Sequence, residues 1–267
     1  MTEFPRTELT IAGSAPVRLS VIDVGPDEPP GRGTIVCIHG AGGHALQWTP
    51  QINHFRRHYR VIAPDLRGHG RSEHPDSAYS LEEFLWDVTQ LLTKLQVAEP
   101  FILMAHSFGG PIALTFTAAQ PERVRRLILI ATAPEMHLRP MVELLLKLPL
   151  PLRILERVRP LVAAQIYAPL FVLQRVLAGT LFPWRGWSLL PTVRVPTLII
   201  GGQFDFIVPV PVLHRMRAAM PSARFELVRY ARHLPHLERP EAVNRHIEGF
   251  IARRQNWRGE EERVAEA

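Results

Sequence analysis

Three short segments of the 267-residue chain carry residue types that could do chemistry. The most informative is Phe101-Ile102-Leu103-Met104-Ala105-His106-Ser107-Phe108-Gly109-Gly110, an apolar run that leads straight into a serine and then into a helix-like stretch ending at Ala119. A strand-turn-helix of this kind is the setting of a nucleophile elbow. Strand and helix backbones nearly touch there, so tiny residues are needed two before and two after the serine, whose hydroxyl is pushed into the open. Gly109 fills the second position and Ala105 the first, where glycine is commonest and a methyl is the smallest departure. Taken alone, A-x-S-x-G also fits an ordinary helix cap at Ser107. The second segment, His39-Gly40-Ala41-Gly42-Gly43, follows the apolar run Thr34–Ile38. Its backbone N–H groups can face an anion, as an oxyanion hole requires, although a plain turn has the same composition. In the third, Asp65-Leu66-Arg67-Gly68-His69-Gly70-Arg71-Ser72, the charges read as a self-bonded loop, with Asp65, Arg67 and His69 structural. The remaining histidines are read as too scattered for a metal site, and no cofactor is expected.

Those loops must hang on a frame, and the hydrophobic pattern supplies one. Strand-like runs at Glu8–Ala12, Val17–Val24, Thr34–Ile38, Arg60–Ala63, Phe101–Ala105, Leu127–Ile130, Thr197–Ile200 and Phe225–Tyr230 include several separated by amphipathic helical stretches, the signature of βαβ units and a mostly parallel sheet. One helix is well marked. Ser80-Leu81-Glu82-Glu83 is a capping box, followed by Phe84, Leu85, Val88, Leu91, Leu92 and Leu95 at helical spacing. Residues 134–192 break the rhythm with Leu, Pro and Arg and read as an inserted helical cap. The predicted organisation is a core over 1–133 and 193–257, that cap, and a charged, frayed tail over 258–267.

Taken together, the HGAGG segment at 39–43, DLRGHGRS at 65–72, AHSFGG at 105–110, GGQFD at 201–205 and RHLPHLERP at 232–240 resemble the α/β-hydrolase superfamily, in its serine esterase and lipase-like branch. The resemblance spans about residues 7–254. It implies a mostly parallel eight-stranded sheet flanked by helices, with the helical cap inserted after the sixth strand. It also implies a catalytic triad in the order Ser, acid, His. Ser107 matches the nucleophile, Asp205 the acid and His233 the base, with His236 a decoy lining the loop. Some relatives place the acid after the sixth strand, where Glu135 stands, but Asp205 has the better motif. The oxyanion hole would be the backbone N–H groups of Ala41 and Phe108. Substrate contacts are open, with His39, Gly40, His106, Trp184 and Trp187 as candidates.

The expected reaction is acyl transfer from a carboxylic ester to water, with small to medium apolar esters as substrates. A serine in the elbow argues against the haloalkane dehalogenase and epoxide hydrolase branches, which use Asp there. The C–C hydrolases of ring-fission diketo acids are the nearer alternative. They carry Asn before the serine and Trp after the histidine, where this chain has His106 and Leu234. A non-catalytic ligand-binding protein of the same fold is the third reading.

Composition narrows the classes further. Hydrophobic residues make 46% and charged residues 21%, which excludes collagen-like, disordered and disulfide-scaffold chains. Cys37, the one cysteine, lies within an apolar run and is read as buried core. The net charge of +6 comes from 31 basic residues, all but two of them arginines spread among acids, so nucleic acid is not an expected partner. The cap carries most of that excess, and weak contact of its basic, apolar surface with a membrane stays open. Neither a secretory signal nor a membrane span is visible, and a cytoplasmic location is expected.

Overall fold

The computed structural model describes residues 4–136, 156 and 166–253. Eight strands form one sheet: β1 (Arg6–Ile11), β2 (Val17–Val24), β3 (Thr34–Ile38), β4 (Arg60–Pro64), β5 (Phe101–His106), β6 (Val124–Ile130), β7 (Thr197–Gly202) and β8 (Ala223–Val228). Their order is β1-β2-β4-β3-β5-β6-β7-β8. Only the β1–β2 and β2–β4 pairs are antiparallel; every other pair is parallel. Among the described residues the α-helices are α1 (Thr49–Phe55), α2 (Leu81–Lys94), α3 (Gly109–Ala119), α4 (Leu170–Arg175), α5 (Val210–Ala219), α6 (Pro235–Glu238) and α7 (Pro240–Ala252).

Parallel strands need covering on both faces, which is why β3, β5 and β7 are apolar at nearly every position rather than alternating. Along β5, Phe101, Leu103 and Ala105 enter one core with Phe84, Val88 and Leu91 of α2 and Ile112 and Phe116 of α3. Ile102 and Met104 enter the other, with Ile52 and Phe55 of α1 and Val243, Ile247 and Phe250 of α7. Cys37 is fully buried in this second core, and burial pushes its thiol pKa up. The capping box on α2 forms as the sequence predicts: Glu83 N–H donates to Ser80 Oγ, and the Ser80 amide donates to the Glu83 carboxylate at 2.9 Å.

Strand ends differ from the sequence reading by a few residues. β6 starts at Val124, not Leu127, because Phe101 of β5 pairs with Val124 and the ladder runs past Arg125 and Arg126. β7 runs on through Gly201 and Gly202, paired with Leu227 and Val228, so β8 ends at Val228. Of the expected cap, residues 137–155 and 157–165 lie outside the described residues. Its final part leaves α4 through a widened turn at Val176–Leu181, and Ala168, Val172 and Val176 are buried in the core shared with α2 and α3.

Candidate active site

Ser107 stands where β5 passes into α3, with φ of 48°, in the left-handed region. Three contacts hold it in that conformation. Its N–H donates to the Ile130 carbonyl at 3.0 Å, and its own carbonyl accepts from Gly110 N–H and from Thr132 Oγ1, each at 2.8 Å. The elbow is as tight as its small residues suggest: a Cβ on Gly109 would stand 2.5 Å from the Ile38 carbonyl oxygen. Gly40 is constrained in the same way, since a Cβ there would lie 2.8 Å from His106 Nδ1 and 3.1 Å from Ser107 Cβ. The HGAGG turn is therefore pressed against the serine.

His233 comes to Ser107 from the other side. Its Nε2 lies 3.0 Å from Ser107 Oγ, and its Nδ1 lies 2.9 Å from Asp205 Oδ2. Asp205 is aimed by its other oxygen, which accepts the amides of Ile207 and Val208 at 2.8 and 2.9 Å. Two features bring the loops together. Gly202 leaves room for the Arg232 and Ala231 carbonyls, where a Cβ would collide. Glu238 accepts the amides of Arg232 and Leu234, tying down both sides of His233. Glu238 lies in the motif at 233–240, but its bracing role depends on amide contacts made only in the folded loop.

Glu135, the other acid considered, faces Arg185 at 3.9 Å. His236 is fully buried, its ring 4.8 Å from Trp48 and 4.6 Å from His106, and neither of its nitrogens has a hydrogen-bond partner among the described residues. Burial, with the neighbouring His233, lowers its pKa to about 3, so it is a neutral packing element.

The remaining candidates fall into two groups. His39 and His106 lie beneath the site. His39 Nδ1 donates to the Gly40 carbonyl while Nε2 accepts from Leu66 N–H, which fixes its tautomer, and burial lowers its pKa to about 4. His106 donates from Nε2 to the His233 carbonyl at 2.9 Å, and burial lowers its pKa well below the usual range. Both brace loops. Trp184 and Trp187 pack on the core beside the strand exits, with the Arg215 guanidinium 4.8 Å over the Trp187 ring. No hydrogen bond or ring contact among the described residues links either indole to Ser107.

The third loop is the self-bonded structure its charges suggested. Asp65 accepts from the amides of Ala45 and Arg71 and from Arg6, and the Arg67 guanidinium makes a two-pronged buried pair with Asp87 at 2.6 and 2.7 Å. Above it, the Tyr167 ring stacks on His44 at 3.7 Å, and Tyr167 N–H donates to the Gly42 carbonyl at 2.8 Å. The segment before α4 is thus fastened to the Gly-rich turn.

A sheet of this order, with a serine at the elbow after β5, defines a hydrolase scaffold. Residues 35–246 match the model of the alpha/beta hydrolase family, and the chain belongs to that family. An uncharacterized hydrolase of Bacillus subtilis, YugF, is 28% identical over 83% of this chain and 91% of its own. Among solved structures, a thermophilic esterase from Thermogutta terrifontis is 26% identical, with a TM-score of 0.77 over 92% of this chain and 98% of that one. An enol-lactonase from Burkholderia xenovorans has the same TM-score at 21% identity, over 93% and 100% of the two chains, and shares the fold.

Proposed function

We propose that the chain is a carboxylic-ester hydrolase working through an acyl-enzyme on Ser107. The observation that carries this reading is the continuous line Ser107 Oγ, His233 imidazole, Asp205 carboxylate, at 3.0 and 2.9 Å. The likeness to the T. terrifontis esterase supports it. Ser107 Oγ attacks the ester carbonyl and passes its proton to His233 Nε2. The oxyanion that develops lies toward the amides of Ala41 and Phe108, and the imidazolium returns its proton to the departing alcohol. Water then attacks the acyl-serine by the same route and releases the acid. Asp205 keeps the His233 Nδ1 proton in place and balances the charge on the ring, while His106 and Glu238 hold the loop that carries it.

Apolar esters fit the rim. Phe206 and Ile207, beside Asp205, are 89% and 62% exposed, and Tyr167 is half-exposed above the Gly-rich turn. Each substrate methylene buried there or under the cap is worth about 0.8 kcal/mol, or several-fold in kcat/KM. The test is a rate series over p-nitrophenyl esters from acetate to octanoate. Values that rise to a medium acyl length support the reading, whereas a monotonic fall from acetate contradicts it. A vinylogous diketo acid in the same assay covers the C–C cleavage alternative.

A further inference from the structure

At the opposite end of the strands from Ser107 there is a cavity of about 620 Å³. It lies where β3, β4 and β6 begin, between the C-terminal ends of α1 and α7. Four arginines line it: Arg32 before β3, Arg125 and Arg126 at the start of β6, and Arg253 after α7; Phe55 and Tyr59 form its apolar wall. Among the described residues none of the four is paired with a carboxylate. Among the described residues Arg125 donates to the Arg32 carbonyl, at 3.4 Å, and its guanidinium lies about 4 Å from where a Cβ on Gly33 would stand.

Arg126 is the most telling of the four. It is 8% exposed, its guanidinium sits 5.1 Å over the Phe250 ring, and its hydrogen-bond acceptor is the Arg253 carbonyl. Burial and the adjacent Arg125 lower its pKa. A guanidinium withdrawn from water beside a like charge is costly unless something anionic completes the site. The other buried arginine among the described residues, Arg67, has Asp87.

The carboxylate on the cavity wall is already engaged, because Glu248 meets His54 at 2.8 Å. His58, four residues after His54, faces Glu28 at 3.4 Å. Among the described residues no three such groups are placed to hold a metal ion. Among the described residues the lining is left positive, four arginines against Glu248, with Phe55, Tyr59 and Ile251 as its apolar wall.

We propose that this cavity is a binding site for a small phosphate-bearing anion, separate from the hydrolytic centre. Guanidinium forks match the oxygens of phosphate two at a time, and several converging arginines suit a group carrying two or more negative charges better than a single carboxylate. The site does not depend on the reaction assigned to Ser107.

Calorimetric titration of the 267-residue chain with pyrophosphate, inorganic phosphate and citrate, at low and constant ionic strength, tests this. Low salt matters because exposed Arg32 and Arg125 are screened within about 10 Å at 0.1 M. The expected result is saturable one-to-one binding of pyrophosphate, at least tenfold tighter than phosphate. Arg125→Gln and Arg32→Gln, both at exposed positions that leave the core intact, should each weaken it by fivefold or more, and Ser107→Ala should leave it unchanged. Absence of saturable binding, affinity unchanged from the parent in either arginine variant, citrate binding as tightly as pyrophosphate, or loss of binding in Ser107→Ala would each overturn the proposal.

Discussion

Asp205 and Glu135 are the two carboxylates that the sequence leaves in contention for orienting the base, and their surroundings separate them. Asp205 has one oxygen on His233 Nδ1 and the other on two amides, so Asp205→Asn should cost about 10⁴ in kcat by presenting the wrong hydrogen-bond partner to the imidazole. Glu135→Gln, which alters a loose contact with Arg185, should leave kcat within a factor of about three of the parent. Steady-state kinetics on both variants decide it, and equal losses would contradict the assignment. The two histidines of the 233–240 segment divide in the same way. His233→Ala should abolish turnover. His236→Ala should retain most of it while lowering stability by about 2–4 kcal/mol, because the ring fills a buried space between Trp48 and His106. Urea unfolding alongside rate measurements separates the two effects.

Tight approaches between elements predict which glycines are irreplaceable. Gly109→Ala would force a methyl to 2.5 Å from the Ile38 carbonyl, so α3 must move off β3 and carry Ser107 with it. Activity should fall at least a hundredfold and stability by several kcal/mol. Gly249, within α7, has nothing within 4 Å of its Cβ position. Gly249→Ala should stabilise by about 0.5–1 kcal/mol through helix propensity alone, with unchanged rates. Thermal melts of the pair check both statements. These elements also mark what the sequence could tell. Strands buried on both faces announce themselves as apolar runs, and the capping box fixes the start of α2 to the residue. The start of β6 was hidden because Arg125 and Arg126 interrupt the apolar pattern, and only the pairing of Val124 with Phe101 carries the strand through them. Ser107, His233 and Asp205, which the structure brings within hydrogen-bond reach of one another, are each marked in the sequence by a local motif after a strand. The bracing roles of His106, Thr132 and Glu238 are not so marked, since each depends on a contact made only when the chain has folded.

Across the whole molecule, neutral buried histidines tie stability to pH. His39 titrates at about 4 and His69 and His236 at about 3, burial being the main cause in each, and His106 is lowered as well. An unfolded chain takes up protons on these rings near 6.5, whereas the native state takes them up only at much lower pH. The unfolded state therefore binds more protons across that window. Stability is full above pH 7 and falls as pH drops below about 6.5, by up to about 1.4 kcal/mol per pH unit for each ring. Urea midpoints at pH 7.5, 6 and 5 should decline accordingly, with a shallower decline in His236→Leu. An unchanged midpoint at pH 5 would mean that the rings reach water or a counter-charge.

If Ser107 is the nucleophile, a fluorophosphonate should titrate it. The reagent phosphonylates an activated serine and releases fluoride, and intact-mass and peptide mass spectrometry read the adduct. The expected result is one adduct per chain on Ser107, loss of p-nitrophenyl ester turnover in proportion to labelling, and neither adduct nor turnover above a hundredth of the parent in Ser107→Ala. Full hydrolysis by the labelled protein, or by Ser107→Ala, would contradict it.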